Sequence, residues 1–329
     1  MKLKHLIVVV AYYIGLIQLF YLINRKKQRV LVYHNIIPDG LLNGSFEQKI
    51  VCTPESFFQK QMEVISKRFT LTTKIGVPNT AVITFDDGYR SALIAKKILD
   101  RYDAKAYFFV PLSIVDKGPL WIDKVMAWFA YVPSGIYQVE GVEINLNSND
   151  SRAKVFSDVI DKLYKKGNYS YNDVIYELDN NFSFRNLKIP EDYQRYRFLG
   201  LSKKEIEQLQ HEGYLIGGHS IRHDILSMLS ESELKEDFNK CSAQIGCLFN
   251  SSVYAYPFGH KRDVSPKCIE ICAQSDFILA FMNEYVNNPS KYTLSRLNIS
   301  SYKSIYEIEA ALSGFTPFLK RILRQINIS

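Results

Sequence analysis

Seven short runs rich in β-branched and aromatic residues, at 30–34, 81–85, 105–110, 215–218, 252–256, 277–281 and 295–299, recur along this 329-residue chain. Longer amphipathic stretches separate them, and that alternation restricts the fold more than any other feature. A strand followed by a helical crossover returns parallel to its predecessor, so the pattern predicts repeated β-α units and a mostly parallel barrel or sheet. Two of the connecting helices are well marked. In 54–69, Phe57, Phe58, Met62, Ile65 and Phe69 form one apolar face. In 202–212, Ser202 stands three residues before Glu205, the signature of a capped helix start. With 47% hydrophobic residues the chain has the material for one large domain and its attachments.

The spacing breaks between the third and fourth runs, where residues 111–214 are far more than one crossover needs. An insertion is expected at about 116–198, with a helix at 121–131, a short strand and turn at 141–147, a helix at 151–165 and a polar, Tyr-rich stretch at 169–196. Loops at the C-terminal ends of barrel strands build active sites, so this insertion is a candidate lid or substrate wall. The alternative is a stabilising excursion that touches no substrate.

Both ends of the chain carry amphiphilic segments. Residues 6–23 are apolar apart from Gln18 and lie between Lys2, Lys4 and the basic cluster Arg25, Lys26, Lys27 and Arg29. As one helix this run reaches ~27 Å, enough for a hydrocarbon core, and no small-residue cleavage site follows it. It reads as an uncleaved single-pass transmembrane anchor, making 1–29 an anchor with basic flanks and 30–312 the folded domain. The tail, 313–329, sets Phe315, Phe318, Leu319, Ile322 and Leu323 beside Lys320, Arg321 and Arg324, which suits a membrane interface or packing against the domain. The net charge of +7 is spread along the chain, which argues against nucleic acid and for a membrane surface or anionic glycan. Five cysteines fit neither a zinc ribbon nor a redox pair, and Cys268 and Cys272 read as small buried hydrophobes.

Chemistry concentrates at three strand ends. In Thr84-Phe85-Asp86-Asp87-Gly88 an apolar strand runs into two adjacent carboxylates. Neighbouring anions repel, and a bound cation relieves this if one carboxylate ligates while the other stays free as a base, with Gly88 permitting the turn that splits them. A helix N-cap is the plainer alternative. In Gly217-Gly218-His219-Ser220-Ile221-Arg222-His223 two imidazoles four apart fall on one face of a helical turn and can grip one metal. With the Asp pair at the other strand end they make a one-carboxylate, two-histidine site with open positions, whereas alone they are as readily a surface pair. At Tyr256-Pro257 a strand meets a residue without an N–H, so the backbone N–H of Tyr256 is the expected last donor, available to a developing oxyanion, the plainer alternative being an ordinary strand-ending turn.

These residues resemble the motifs of the polysaccharide deacetylases with a NodB homology domain, carbohydrate esterase family 4. Thr84 to Gly88 looks like the first motif, His219 to His223 like the His-(Ser/Thr)-x-x-His motif, and Tyr256-Pro257 like the core of the third. The resemblance covers roughly 30–300. It implies a distorted (β/α)7-type barrel and metal-dependent removal of N-acetyl groups from glycans. It also implies Asp86 as general base, Asp87, His219 and His223 as ligands, and the Tyr256 N–H as oxyanion donor. Zinc is the natural ion for such ligands, which also suit cobalt, nickel or manganese.

Two departures stand out. The arginine that many members carry before the third motif is missing from Asn250 to Val253, and the late Leu-x-x-x-His is replaced by Leu297-Asn298-Ile299-Ser300. Arg296 is the candidate to orient Asp86 in place of the first. For the general acid, His34 in Val32-Tyr33-His34 resembles the N-terminal Tyr-His of the permuted branch that deacetylates poly-N-acetylglucosamine. The expected partner is therefore an N-acetylated glycan of a bacterial surface or exopolysaccharide. Alternatives are a lipid-linked amino sugar that loses an acetyl or formyl group, an inactive glycan-binding module, and a peptidase or esterase on the same scaffold. The positive-inside count narrowly favours a cytoplasmic domain, whereas the branch resembled favours the outer face, which is the expectation adopted.

Overall fold

The computed structural model of the chain describes residues 2–139, 141–166, 171–302 and 304–325, so Tyr169 and the last four residues of the expected tail lie outside the described residues. All seven expected strands form: β1 (Arg29–Tyr33), β2 (Thr80–Phe85), β3 (Ala106–Val110), β4 (Leu215–Gly218), β5 (Val253–Ala255), β6 (Leu279–Phe281) and β7 (Leu297–Asn298). They pair in the order β6-β5-β4-β3-β2-β1-β7, and every pair in the path is parallel. The short segment Thr70–Leu71 adds to the start of β2. The sheet curls until its two edges meet at a single parallel bridge, Phe281 to Leu294, so the barrel is distorted and joined by one bridge where a full ladder would close it.

Period-2 alternation divides each strand between two environments. Val82 of β2, Tyr107 and Phe109 of β3, Val253 and Ala255 of β5, and Phe281 form a small cluster inside the curl, joined by Val30 and Leu294. Ala81, Ile83, Phe85, Phe108 and Val110 point the other way into the large core under the helices. Every residue of β2 and β3 is buried, as expected of parallel strands covered on both faces.

The insertion is a helical layer with one hairpin. It contains helices Trp121–Tyr131, Asn149–Lys166, Tyr171–Asn181 and Glu191–Arg197, and the antiparallel pair Ile136–Val139 and Val142–Asn145. The polar Tyr-rich stretch folds because its polar groups are paired inside. Arg197 is fully buried, 2.8 Å from Asp123 and 3.3 Å from Glu47. Tyr193 and Tyr131 also donate to Glu47, at 2.5 and 3.1 Å, and Tyr89, two residues beyond Asp87, donates to Asp123 at 2.8 Å. This network ties the insertion to the loop that carries the acidic pair.

The N-terminus departs from expectation. Residues 6–23 do not form one helix: Lys2–Tyr13 and Leu16–Ile23 meet at 82°, with Gly15 at φ +80°, a left-handed conformation cheap for glycine. Among the described residues no single helix is long and apolar enough to cross a membrane. The bend follows from packing, because Val8, Ala11 and Ile17 bury themselves with Ala310 and Phe315 of the C-terminal helices Ile305–Ser313 and Phe315–Gln325. Within the described residues the tail, through Phe315, Phe318 and Leu319, therefore packs against the N-terminal pair.

Truncating Arg197 strands two buried carboxylates, and breaking a buried ion pair from one side costs about 3–5 kcal/mol. Arg197→Met is expected to lower the unfolding free energy measured by urea titration by that amount, and a stability unchanged from wild type would show the network to be dispensable.

Candidate metal and acid-base site

Asp86 and Asp87 extend β2 past its last residue. The Asp86 N–H donates to Tyr33 O at 2.9 Å, so β1 fixes where β2 ends. Asp87 and Gly88 then take φ values of +72° and +65°, two successive left-handed residues that swing the chain over and part the two side chains. A Cβ on Gly88 would sit 2.8 Å from Val110 Cγ1, so the turn needs glycine for space as well as for conformation. Neither aspartate caps a helix, since the next one, Ala92–Leu99, begins after Ser91.

Asp86 continues the inward row of Val82 and Thr84 and meets Arg296. The guanidinium holds both carboxylate oxygens at 2.6 Å, donates to Thr84 Oγ1 at 3.2 Å and to Met282 O at 3.0 Å, and is buried beside the rings of Phe109 and Phe281. Burial opposes ionisation of Asp86, but the adjacent Arg296 charge outweighs it and holds the carboxyl below its usual range. The bidentate fork leaves Asp86 ionised and fixed in orientation.

The histidines come together by a route other than a helical turn. His219 lies directly after β4, and residues 219–225 are irregular, with Ser220 and His223 at φ +62° and +60°. Ser220 Oγ accepts the N–H groups of Arg222, His223 and Asp224 at 3.2, 2.8 and 3.3 Å. That side-chain turn satisfies backbone donors without a helix and brings the two rings to 5.0 Å. Trp121 of the insertion donates its Nε1–H to His223 O at 2.9 Å and stacks on Tyr171. The insertion thus props one histidine from behind.

Asp87 Oδ1 lies 3.3 Å from His219 Nε2 and 3.0 Å from His223 Nε2, and one ligand atom from each of the three residues falls within 4.8 Å of the others. His219 Nδ1 is 2.7 Å from Ala255 O. A carbonyl only accepts, so Nδ1 donates to it, and in that tautomer the Nε2 lone pair turns toward the carboxylate. Asp87 Oδ1 is buried and makes no hydrogen bond among the described residues. His219 Nε2 thus faces the carboxylate as an acceptor, an arrangement that positive charge between them relieves, and His223 Nε2 converges on the same oxygen while its Nδ1 is buried without a hydrogen bond among the described residues. One divalent cation resolves the arrangement, and the donor set fits it.

His34 follows β1 in the inward row of Val30 and Val32, half-buried and near enough to Asp86 and Asp87 for its charge to act on both. The expectation for Tyr256 fails: its N–H donates to Phe281 O at 3.1 Å, because β5 still pairs with β6 there, and its hydroxyl donates to Tyr292 O. The next donor after Pro257 is Phe258, at φ +58°, whose N–H makes no hydrogen bond among the described residues and whose ring packs 4.7 Å from that of His223. Sequence reasoning missed Phe258, although the proline that interrupts the ladder also marks the residue after it. It missed Ser220 and Trp121 as well, and nothing local in sequence marks Trp121.

The barrel of parallel strands thus carries at its rim an Asp-His-His cluster that could hold a metal ion and, beside it, a clamped aspartate. The polysaccharide deacetylase family matches residues 74–270, and the chain belongs to that family, the hydrolases of carbohydrate esterase family 4. Among solved structures, the Streptococcus pyogenes deacetylase PplD, solved in complex with acetate, shares 14% identity over 87% of this chain and 97% of its own, at a TM-score of 0.53. IcaB from Ammonifex degensii shares 16% over 88% and 97%, at 0.51. A de-N-acetylase from Aggregatibacter actinomycetemcomitans shares 13% over 86% and 98%, at 0.50. These likenesses concern the fold. No curated protein sequence matches the chain. The family match stops short of His34 and Arg296 at either end, so their place rests on geometry.

Asp237 supports the histidine loop, accepting Ile221 N–H at 2.9 Å through Oδ1 while Oδ2 is buried without a hydrogen bond among the described residues. Burial pushes its pKa up to about 7. An unfolded aspartate titrates near pH 4, so across about pH 4 to 7 the unfolded state releases a proton that the folded state retains, and stability falls as pH rises. The full effect is about 4 kcal/mol. Asp237→Asn is expected to lose this dependence, so its urea midpoint gains on wild type with rising pH; parallel curves would contradict it.

Proposed function

We propose that the chain hydrolyses N-acetyl groups on the amino sugars of a glycan, with Asp87, His219 and His223 holding one divalent cation. The observation that carries this reading is the Asp87 oxygen faced by two imidazole nitrogens, set beside a separate carboxylate that Arg296 keeps ionised. A bound cation supplies acidification of water and polarisation of the amide carbonyl. Zinc suits the ligand set best, and cobalt, nickel and manganese remain chemically compatible.

The protein's own groups divide the remaining work. Asp86 accepts the proton of the attacking water, and its ion pair with Arg296 fixes the direction of the accepting oxygen. His34, across the rim just past β1, delivers a proton to the departing amine, whose expulsion as an anion is otherwise prohibitive. The Phe258 N–H takes the oxyanion role first expected of Tyr256. Trp121 and Phe258 wall the histidine side. Tight burial of Asp86, Asp87, His219 and Arg296 leaves half-buried His34 as the member most open to an incoming substrate.

One observation favours a lipid-linked amino sugar as the substrate. The insertion forms a cleft of about 580 Å3 lined largely by apolar side chains, among them Ile175, Phe184, Leu187 and Phe198, with Lys124 and Arg185 beside Asp123 and Asp179 in the same lining. An apolar chain beside a phosphate matches that lining.

Amine release from N-acetylglucosamine oligomers, and from an undecaprenyl-linked acetylated amino sugar, tests both readings. Release is expected to vanish with chelator and return with zinc. Asp86→Asn is expected to lower the rate by about 10²–10⁴-fold while retaining the metal. Chelator-resistant release, or none from any amino sugar, would overturn the proposal.

A further inference from the structure

The bent N-terminal pair has two apolar faces and only one is used by the protein. Helices Lys2–Tyr13 and Leu16–Ile23 bury Val8, Ala11 and Ile17 against the C-terminal helices. Polar contacts hold the docking in register: Tyr21 donates to Glu309 at 2.5 Å, and Asn24 Nδ2 donates to Ser313 O at 2.9 Å. Arg68 closes on Glu309 from the side at 2.8 Å.

The opposite faces are bare. Leu6 and Val10 lie at helical spacing along the first helix, Ile14 in the turn after it, and Leu19, Leu22 and Ile23 along the second, with Ile14 70% and Ile23 64% exposed. An apolar surface of this extent on two adjoining helices is far from the scattered single residues of ordinary surfaces. Arg25, Lys26 and Lys27 follow the second helix and are exposed, and Lys320 and Arg321 are exposed on the strongly amphipathic helix Phe315–Gln325 that packs against the pair.

We propose that this face seats the protein in one leaflet of an anionic membrane, lying in the interface without crossing it. Straightening the 82° bend into one span would tear Val8, Ala11 and Ile17 from their partners. In-plane binding keeps both, sinking the bare stripes into the acyl boundary while the flanking cations meet anionic headgroups. A second copy of this chain would cover the apolar stripes but would set the basic clusters of two copies against each other, which disfavours it.

The test uses the full chain and sucrose-loaded vesicles, either phosphatidylcholine with phosphatidylglycerol or phosphatidylcholine alone. The wild type is expected to sediment with the anionic vesicles and to be released as salt rises. The triple substitution L19Q/L22Q/I23Q, and separately R25Q/K26Q/K27Q, is expected to weaken binding by about tenfold or more with unchanged thermal midpoints. In wild-type binding equal to that of both variants, the seat is absent. A His5→Cys label distinguishes lying from crossing: an impermeant maleimide added outside is expected to reach it together with exposed native Cys247. Labelling of residue 5 only after lysis means that the segment spans, and a dimer dissolved by L19Q/L22Q/I23Q means that a second copy is the occupant; either overturns the proposal.

Discussion

Parallel strands all end at one rim, and side chains alternate strictly along each of them. Together these constraints decide which residues of this chain meet. The inward rows of β1 and β2 run 30-32-34 and 82-84-86, and that of β4 ends at 217-219, so His34, Asp86 and His219 arrive at the same opening from different strands. Arg296 enters from the segment leading into β7 and lies against Phe109 and Phe281 inside the curl. A shift of one residue in β2 would exchange Asp86 for Asp87 and separate the clamp from the carboxylate it holds.

The site concentrates the molecule's cost in stability. Asp87, Ser220, His223 and Phe258 all have left-handed backbones, each unfavourable by about 1 kcal/mol or more for a residue with a side chain. Buried charges sit at Asp86, Arg296, Asp123, Glu47 and Arg197. The surroundings compensate in identifiable ways: Ser220 Oγ satisfies three backbone donors, Trp121 anchors His223, and the Arg197 network secures Tyr89 next to the acidic turn. The insertion is thereby part of the site's support, since removing it would remove Trp121 and Arg197 together.

Much of this was legible in the sequence because strand ends advertise themselves. An apolar run ending in Asp86-Asp87-Gly88 or Gly218-His219 states both the element and the point where chemistry begins, and the seven strands fell within a few residues of their expected places. What sequence could not supply was pairing across distance. Tyr256 looked like a free donor because nothing nearby in sequence reveals that β6 still pairs with it, and the two histidines looked helical because Ser220's threefold acceptance has no periodic signature. The N-terminal run looked like a membrane span because apolar composition alone does not say whether lipid or Ala310 and Phe315 will cover it.

The account turns on a cation between Asp87 and the two histidines. Metal content of the purified, dialysed chain, measured by elemental analysis after incubation with zinc, tests this most directly. One zinc per wild-type chain is predicted, falling to near zero in His219→Ala with the fold retained by circular dichroism, and unchanged in Asp86→Asn. Equal zinc in wild type and His219→Ala, or none in either, would contradict the account.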